Sequence, residues 1–509
     1  MCWLFHGGSN RAAAPFSIFC NHQGVLALIQ ISRLLAKQLR SMVKMLFPGR
    51  GPIPALAFRA GQDGLFIDVQ GANQALRYHD PQPREQQHLL VPFNVLEDVQ
   101  GSKPEPVYLD SRRDGVLGAN WEDRGIVRDL EYDAPESSAD APPFPTLPET
   151  FSENPPALLT ALREAYETTD AESSRYALAS IQVRGREGVI AATDGRQLLK
   201  QSGFTFGFDE DLLLCQTKLF ASKHLPADQP VRVGKSGDKM VVFQIGPWSY
   251  WLPVVEGRYP DVDRTVPAPG HSKATLQLGS TDAKFLTENL HRLPSGTTNR
   301  ELTLDVNGHV VLRASAPDTL RPTEMVLRNS SKRGDDLLVC TDRQYLARAA
   351  RLGFTEIELP DNTSPAVARD GSRVFLWMVL DPKEAIKPTT DCLRIESPLS
   401  SGHRQPSSLT RSAIAVNRIA SRPAAQQASS APPTNEPRVA AKHSPNRHCS
   451  ATSPKRPGGA YEQAVVVRDQ LRSTLDAVKD LIRQINVEKR SQKSLKSALA
   501  SLKQLQHVA

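Results

Sequence analysis

Between positions 25 and 398 the apolar residues fall into short runs of two different periods. Alternation of apolar and polar residues predicts strands over 177–184, 188–192, 239–245 and 248–254. The intervening turns suit hairpins: Gly234-Lys235-Ser236-Gly237-Asp238 and Val306-Asn307-Gly308-His309 put Gly and Asn where a tight reversal needs them. No long helix follows each strand, so an antiparallel α+β fold is predicted rather than a doubly wound parallel sheet. Prolines at 142, 143 and 145, then at 267 and 269, divide this body into thirds, predicted as domains over 25–148, 149–270 and 271–398. The second and third thirds each carry an early helix (157–168 and 280–292) and a later short one (218–223 and 342–352). The expectation is one architectural unit repeated every ~120 residues.

The segment 31–46, ISRLLAKQLRSMVKML, is predicted as an amphipathic helix. Arg33, Lys37, Arg40 and Lys44 step by four, three and four, which sets them on one stripe. No acid within the segment relieves their mutual repulsion, so an external polyanion is a natural partner. Alone, such a stripe also reads as a solvated face or a membrane-surface helix. Near the other end, Leu471, Leu475, Val478, Ile482 and Ile485 step by four, three, four and three, and Leu495, Leu499 and Leu502 resume the seam. That heptad spacing predicts a helix with a helical partner, or a helical hairpin, over 461–509. Between them, 399–460 is rich in Ser, Pro, Ala and Arg and reads as a disordered linker, as does the segment 1–24.

Charge sharpens the division. The chain carries a net +7, yet 399–460 has nine Lys and Arg against Glu436 alone, and 461–509 has nine against five acids. The body is therefore mildly acidic and the tail basic, a balance that favours weak contact with nucleic acid. The six cysteines are scattered, without metal-ligand or disulfide spacing, which fits a reducing cytoplasm. No apolar run is long enough to span a membrane. Gly234-Lys235-Ser236 is not a phosphate-binding loop, because position 229 is Gln229 and the segment sits between strands. No nucleophile elbow, zinc-protease motif or carboxylate pair with a base stands out, so no catalytic residue, metal or cofactor is expected.

Two segments carry a resemblance. Ala191-Ala192-Thr193-Asp194-Gly195-Arg196-Gln197-Leu198 resembles the T-D-G-x-R-L element of the bacterial DNA polymerase III beta sliding clamp family. Glu256-Gly257-Arg258-Tyr259-Pro260-Asp261-Val262-Asp263-Arg264-Thr265-Val266-Pro267 is similar to that family's E-G-R-[FY]-P-D-[YW]-x-R-[VL]-[IL]-P. Arg175-Tyr176-Ala177-Leu178, Asp342-Arg343-Gln344-Tyr345-Leu346, Ser364-Pro365 and Leu376-Trp377-Met378-Val379-Leu380 resemble further family elements, so the likeness extends over about 25–398.

The resemblance implies three repeated clamp domains, each with antiparallel sheets outside and two helices inside. It implies two chains joined head to tail as a homodimeric ring around duplex DNA, serving a DNA polymerase and a clamp loader in the cytoplasm at the nucleoid. Arg33, Lys37, Arg40 and Lys44 would then hold phosphates without reading bases. The family's hydrophobic cleft for partner peptides would here include Leu178, Thr193, Gly195, Arg196, Leu198, Pro260, Arg264, Leu376, Met378 and Leu380. This chain departs from the pattern at Gln197 (usually Arg), at Thr265 (usually aliphatic) and at Val379-Leu380-Asp381, and it continues through 381–509 where the family usually ends. Competing readings are a divergent accessory clamp for repair or a mobile element, a DNA-processing enzyme such as a nuclease, and a coiled-coil nucleoid protein.

Overall fold

The computed structural model describes residues 28–400, apart from 50, 136–141, 174–176 and 297–298. The expectations for 1–24, for all but the first two residues of 399–460, and for 461–509 lie outside the described residues.

The chain repeats one order of elements three times. The first repeat runs β1 (Leu28–Ser32), α1 (Arg33–Leu46), β2 (Leu56–Gly61), β3 (Gly64–Gln70), β4 (Ala75–Asp80), β5 (Gln87–Val91), α2 (Phe93–Val99), β6 (Pro106–Arg113), β7 (Val116–Asp123) and β8 (Ile126–Asp133). The second runs β9 (Ser152–Asn154), α3 (Ala157–Tyr166), β10 (Ser180–Arg184), β11 (Val189–Thr193), β12 (Gln197–Ser202) and β13 (Asp211–Cys215). A 3-10 turn (Lys218–Ala221) takes the place of α2, and β14 (Val231–Ser236), β15 (Met240–Ile245) and β16 (Trp248–Pro253) follow. The third runs β17 (Ala274–Gln277), α4 (Ser280–Asn289), β18 (Glu301–Asp305), β19 (Val311–Ala314), β20 (Thr323–Val326), an extra β21 (Ser331–Gly334) and β22 (Leu338–Asp342). It then continues through α5 (Arg343–Arg351), β23 (Glu356–Leu359), β24 (Ala366–Asp370) and β25 (Arg373–Trp377), and β26 (Leu393–Glu396) lies beyond it.

Strand order repeats with the elements. The first repeat makes the ladders β1-β6-β7-β8 and β5-β2-β3-β4; the second makes β9-β14-β15-β16 and β13-β10-β11-β12; the third makes β17-β23-β24-β25 and β22-β18-β19-β20. Successive repeats fuse through sheet edges. β4 pairs antiparallel with β16, and β12 pairs antiparallel with β25, giving continuous sheets of eight and nine strands.

Local sequence explains the elements. The Ser32 hydroxyl accepts a hydrogen bond from the Leu35 amide at 3.0 Å and caps α1, while Leu35, Leu39, Met42, Val43 and Leu46 turn one face inward. The helix therefore begins at Arg33, because Ile31 and Ser32 belong to β1. Asp342 caps α5 through the Gln344 amide at 2.8 Å. The strand read at 177–184 begins only at Ser180, since Ala177 lies at φ +49° and breaks the extended chain. Residues 378–400 do not leave the body. The Leu380 amide donates to the Cys340 carbonyl, the Ile386 amide to the Thr303 hydroxyl, and the segment ends as β26 parallel to β20.

Candidate functional site

The helices form one layer. α1 packs on α2, the 3-10 turn packs on both α1 and α3, and α4 packs on α5. Arg348 of α5 bridges to α3: its guanidinium donates to the Glu164 and Glu167 carbonyls and to the Thr168 hydroxyl, each at 2.8 Å. A cation on the last carbonyls of a helix also complements the helix dipole.

The stripe predicted on α1 divides. Arg33 is buried, and its role as a phosphate ligand is corrected by its contacts. Its guanidinium donates to the carbonyls of Val99, Gln100 and Glu122 and pairs with Asp123 at 3.0 Å, which locks the start of α1 to the ends of α2 and β7. Lys37 and Arg40 are half-buried and Lys44 is exposed. Relief that the helix itself lacks comes from α2: Glu97 meets Lys44 at 2.7 Å and Arg40 at 3.4 Å. The Lys44 hydrogen bond holds the Glu97 carboxyl below its usual range. Lys37 lies near Lys223 and His224; burial first, then these two cations, lowers the His224 imidazole below its usual value.

Sequence reasoning missed further cations of the same layer. Arg163 on α3, Lys218 and Lys223 at the 3-10 turn, Lys284 on α4, Arg292 just after α4 and Arg351 at the end of α5 are all exposed. Each falls in one of the helical segments read from the sequence, so a search of every predicted helix for unpaired cations finds them. The layer thus carries positive charge in all three repeats. Arg343, by contrast, is buried among the carbonyls of Leu290, Leu293, Pro294, Arg300 and Glu301 and fastens α5 to the loop after α4.

The predicted peptide cleft maps onto the seam between β12 and β25. Leu198 pairs with Leu376 across that seam, and both are buried beneath Val262. Leu178 packs beside Gly195, which needs its φ of +88° to turn the chain from β11 into β12. Thr193 shapes the same turn, donating to the Gln197 carbonyl at 2.6 Å and accepting from the Gly195 amide at 3.0 Å. The Met378 amide reaches the Arg196 carbonyl, and the Met378 side chain is exposed. Leu178, Gly195 and Arg196 line a cavity of about 610 Å³ with Asp170, Asp194 and Tyr345. Pro260 is half-buried in the covering loop, Arg264 stands exposed and paired with Asp261 at 2.9 Å, and Leu380 is tied to Cys340. These last three flank the apolar floor and do not form it.

The covering loop is staked down by Asp263, which meets Arg184 at 2.5 Å and Lys200 at 2.7 Å. Burial alone would raise the Asp263 carboxyl, but the hydrogen bonds from Lys200 and Arg184 outweigh it and hold it below the usual carboxylate range. A second cavity of about 340 Å³ opens beyond it, between Lys200, Pro267, Arg369 and Val374. Among the described residues no three His, Cys, Asp or Glu gather as a metal site, and no helix is long and apolar enough to cross a membrane.

This architecture defines a class: the described chain has the fold of the DNA polymerase III beta sliding clamps. The subunit beta from Pseudomonas aeruginosa superposes with a TM-score of 0.56 at 18% identity, over 70% of this chain and 100% of that one. The Thermotoga maritima beta subunit gives 0.57 at 14% identity, over 70% and 99%. The beta subunit from the DNA polymerase of Streptococcus pyogenes gives 0.58 at 14%, over 70% and 100%. No protein-family model and no curated protein matches the sequence.

Proposed function

We propose that two copies of this chain close a ring around duplex DNA and tether a DNA polymerase and other replication or repair factors to it, without a catalytic site of their own. The observation that carries this reading is the helix layer, with exposed cations in each of three repeats that share one strand order. Cations of this kind would hold phosphates without reading bases and leave the protein free to slide. A clamp loader would open the ring, and the cytoplasmic nucleoid is its place of action. Partner peptides would enter the β12–β25 seam at its open end, where Leu178, Gly195, Arg196 and Met378 meet, with Leu198 and Leu376 as the apolar floor. The test compares retention of the full chain on closed circular and linear duplex DNA after loading. Retention on the circle with rapid loss from free ends is expected; equal loss from both would overturn the ring.

A further inference from the structure

The three repeats contain their own rule for joining. Twice, the last strand of one repeat's second ladder pairs antiparallel with the last strand of the next repeat's first ladder: β4 with β16, then β12 with β25. Extending that rule leaves two unmatched ends, β8 in the first repeat and β20 in the third. Among the described residues β8 is paired on one side only. The β20 edge, however, is already occupied by β26, a strand outside the repeat.

We propose that β26 is the closing strand of the assembly, and that β8 of a second copy adds antiparallel to β26 rather than to β20. This proposal rests on the ring reading above and specifies its joint.

Polarity permits it. β26 runs parallel to β20, so it moves the edge outward by one strand without reversing its direction. An antiparallel insertion would have presented β8 with a parallel neighbour, unlike either internal joint. The added strand is anchored on its inner side. The Leu393 amide donates to the Pro322 carbonyl and the Ser397 amide to the Val326 carbonyl, each at 2.9 Å. Arg394 pairs with Glu324 at 3.5 Å and Arg328 with Glu396 at 3.2 Å. Alternation along a strand then turns the amides and carbonyls of Arg394 and Glu396 outward, as a ladder edge without a partner among the described residues.

Both free edges also carry uncovered apolar side chains on the core side. Paired residues share a face, so Leu130, opposite buried Ala119, and Ile395, opposite buried Met325, point toward their sheets' cores. Yet Leu130 is 43% exposed and Ile395 40%, with Ile126 at 57% and Leu393 at 56%. At the internal joints the corresponding pairs, Leu76 with Tyr250 and Leu199 with Phe375, are buried. An eight-residue edge strand with bare apolar side chains is a surface that a partner strand completes, and the continuation of the repeat makes that partner a second copy of this chain.

The test is hydrogen exchange on the full chain over a concentration series, read at 126–133 and 393–396. Glu396→Pro removes the outward amide at that edge, and Glu396→Ala is the control that loses the same ion pairs with Arg328 and Arg394 but keeps the amide. Peptide 126–133 should gain protection with concentration in the parent and in Glu396→Ala, with 393–396 protected throughout. In Glu396→Pro the gain should fall by roughly tenfold or more, and Leu130→Asp should abolish it. If Glu396→Pro still protects 126–133, or if 393–396 becomes exposed as 126–133 becomes protected, then β26 is a guard that leaves before β8 meets β20. That outcome overturns the proposal while the ring survives. If 126–133 never gains protection in the parent, the ring reading fails with it. Loss of the gain in Glu396→Ala would assign the effect to the ion pairs with Arg328 and Arg394 and also overturn the closing-strand role.

Discussion

Replacing Arg33 with Met tests whether its charge is structural, apart from the α1 cations proposed to hold DNA. The Arg33 stem is buried, and Met keeps most of its packing volume while removing the guanidinium. Five interactions disappear: donation to the Val99, Gln100 and Glu122 carbonyls and the ion pairs with Asp123 at 3.0 Å and Glu105 at 3.7 Å. The Asp123 side chain is 40% exposed and regains water, so its share is small. The Val99 carbonyl is buried, and leaving such an acceptor unpaired costs ~1–3 kcal/mol, with smaller amounts for the two partly buried carbonyls. A total near 3 kcal/mol is expected, which corresponds to roughly a hundredfold faster amide exchange through local opening. Hydrogen exchange at α1 and β7 is the suitable assay, because three fused repeats need not unfold as one transition. The same variant should leave the salt dependence of duplex binding unchanged, since the Arg33 charge is taken up by carbonyls and carboxylates of the protein itself. Unchanged exchange together with a reduced salt slope would refute the assignment of Arg33 to structure.

The remaining cations should behave oppositely. Lys37→Gln, Lys44→Gln and Lys223→Gln should each lower the slope of log affinity on log salt by about 0.9 per lost phosphate contact, measured by anisotropy on a short duplex, with thermal midpoints unmoved. Leu376→Ala at the seam should cost ~2–4 kcal/mol, read as faster exchange in β12 and β25, because its partner Leu198 and the Val262 cover cannot fully collapse onto the space. Asp263→Asn should destabilise the covering loop by ~1 kcal/mol at neutral pH, discounted for its partial exposure. Its folded carboxyl titrates below the unfolded value of about 3.9, so the stabilisation is complete above that pH and is lost as pH falls through the folded value. Thermal unfolding of parent and variant should therefore converge in acid. Burial, aided by Glu384, Glu301 and Asp381, pushes the Cys340 thiol up to about 12, so it should resist alkylation at pH 8 in the folded chain.

Local pattern carried the second repeat furthest. The Thr193–Leu198 turn is built from hydrogen bonds a few residues apart, such as the Asp194 carboxylate accepting from the Arg196 and Gln197 amides, so its sequence alone prescribes it, whereas the 256–267 loop is held by Arg184 and Lys200 from 63 and more positions away. The fate of Arg33 was not legible, because its partners Val99, Gln100, Glu122 and Asp123 lie 66 to 90 positions away. Helical spacing aligned Arg33 with Lys37, Arg40 and Lys44, but spacing does not say which end of such a row meets another element. The relief of Lys44 by Glu97 was hidden for the same reason. β26 was the hardest to read. Leu393-Arg394-Ile395-Glu396 is a four-residue alternation beside a proline-rich, basic stretch, and only the vacant β20 edge makes it a strand.

The electrostatics follow from the way such a ring would hold DNA. A binder that relies on affinity concentrates its cations and leaves them unopposed. Here the cations are spread over three repeats, Arg40 and Lys44 are partly answered by Glu97, and Arg33, Arg343 and Arg348 are withdrawn into the scaffold. Contacts this dilute would release a linear duplex readily as salt rises, since each phosphate contact adds only about 0.9 to the salt exponent. For a closed ring that weakness is useful: topology supplies retention, and weak contacts supply low friction along the duplex. The demand on stability then moves from the helix layer to the joints. Two of these are buried within the chain, and the proposed third would depend on β8 and on a strand that, among the described residues, no other repeat contains.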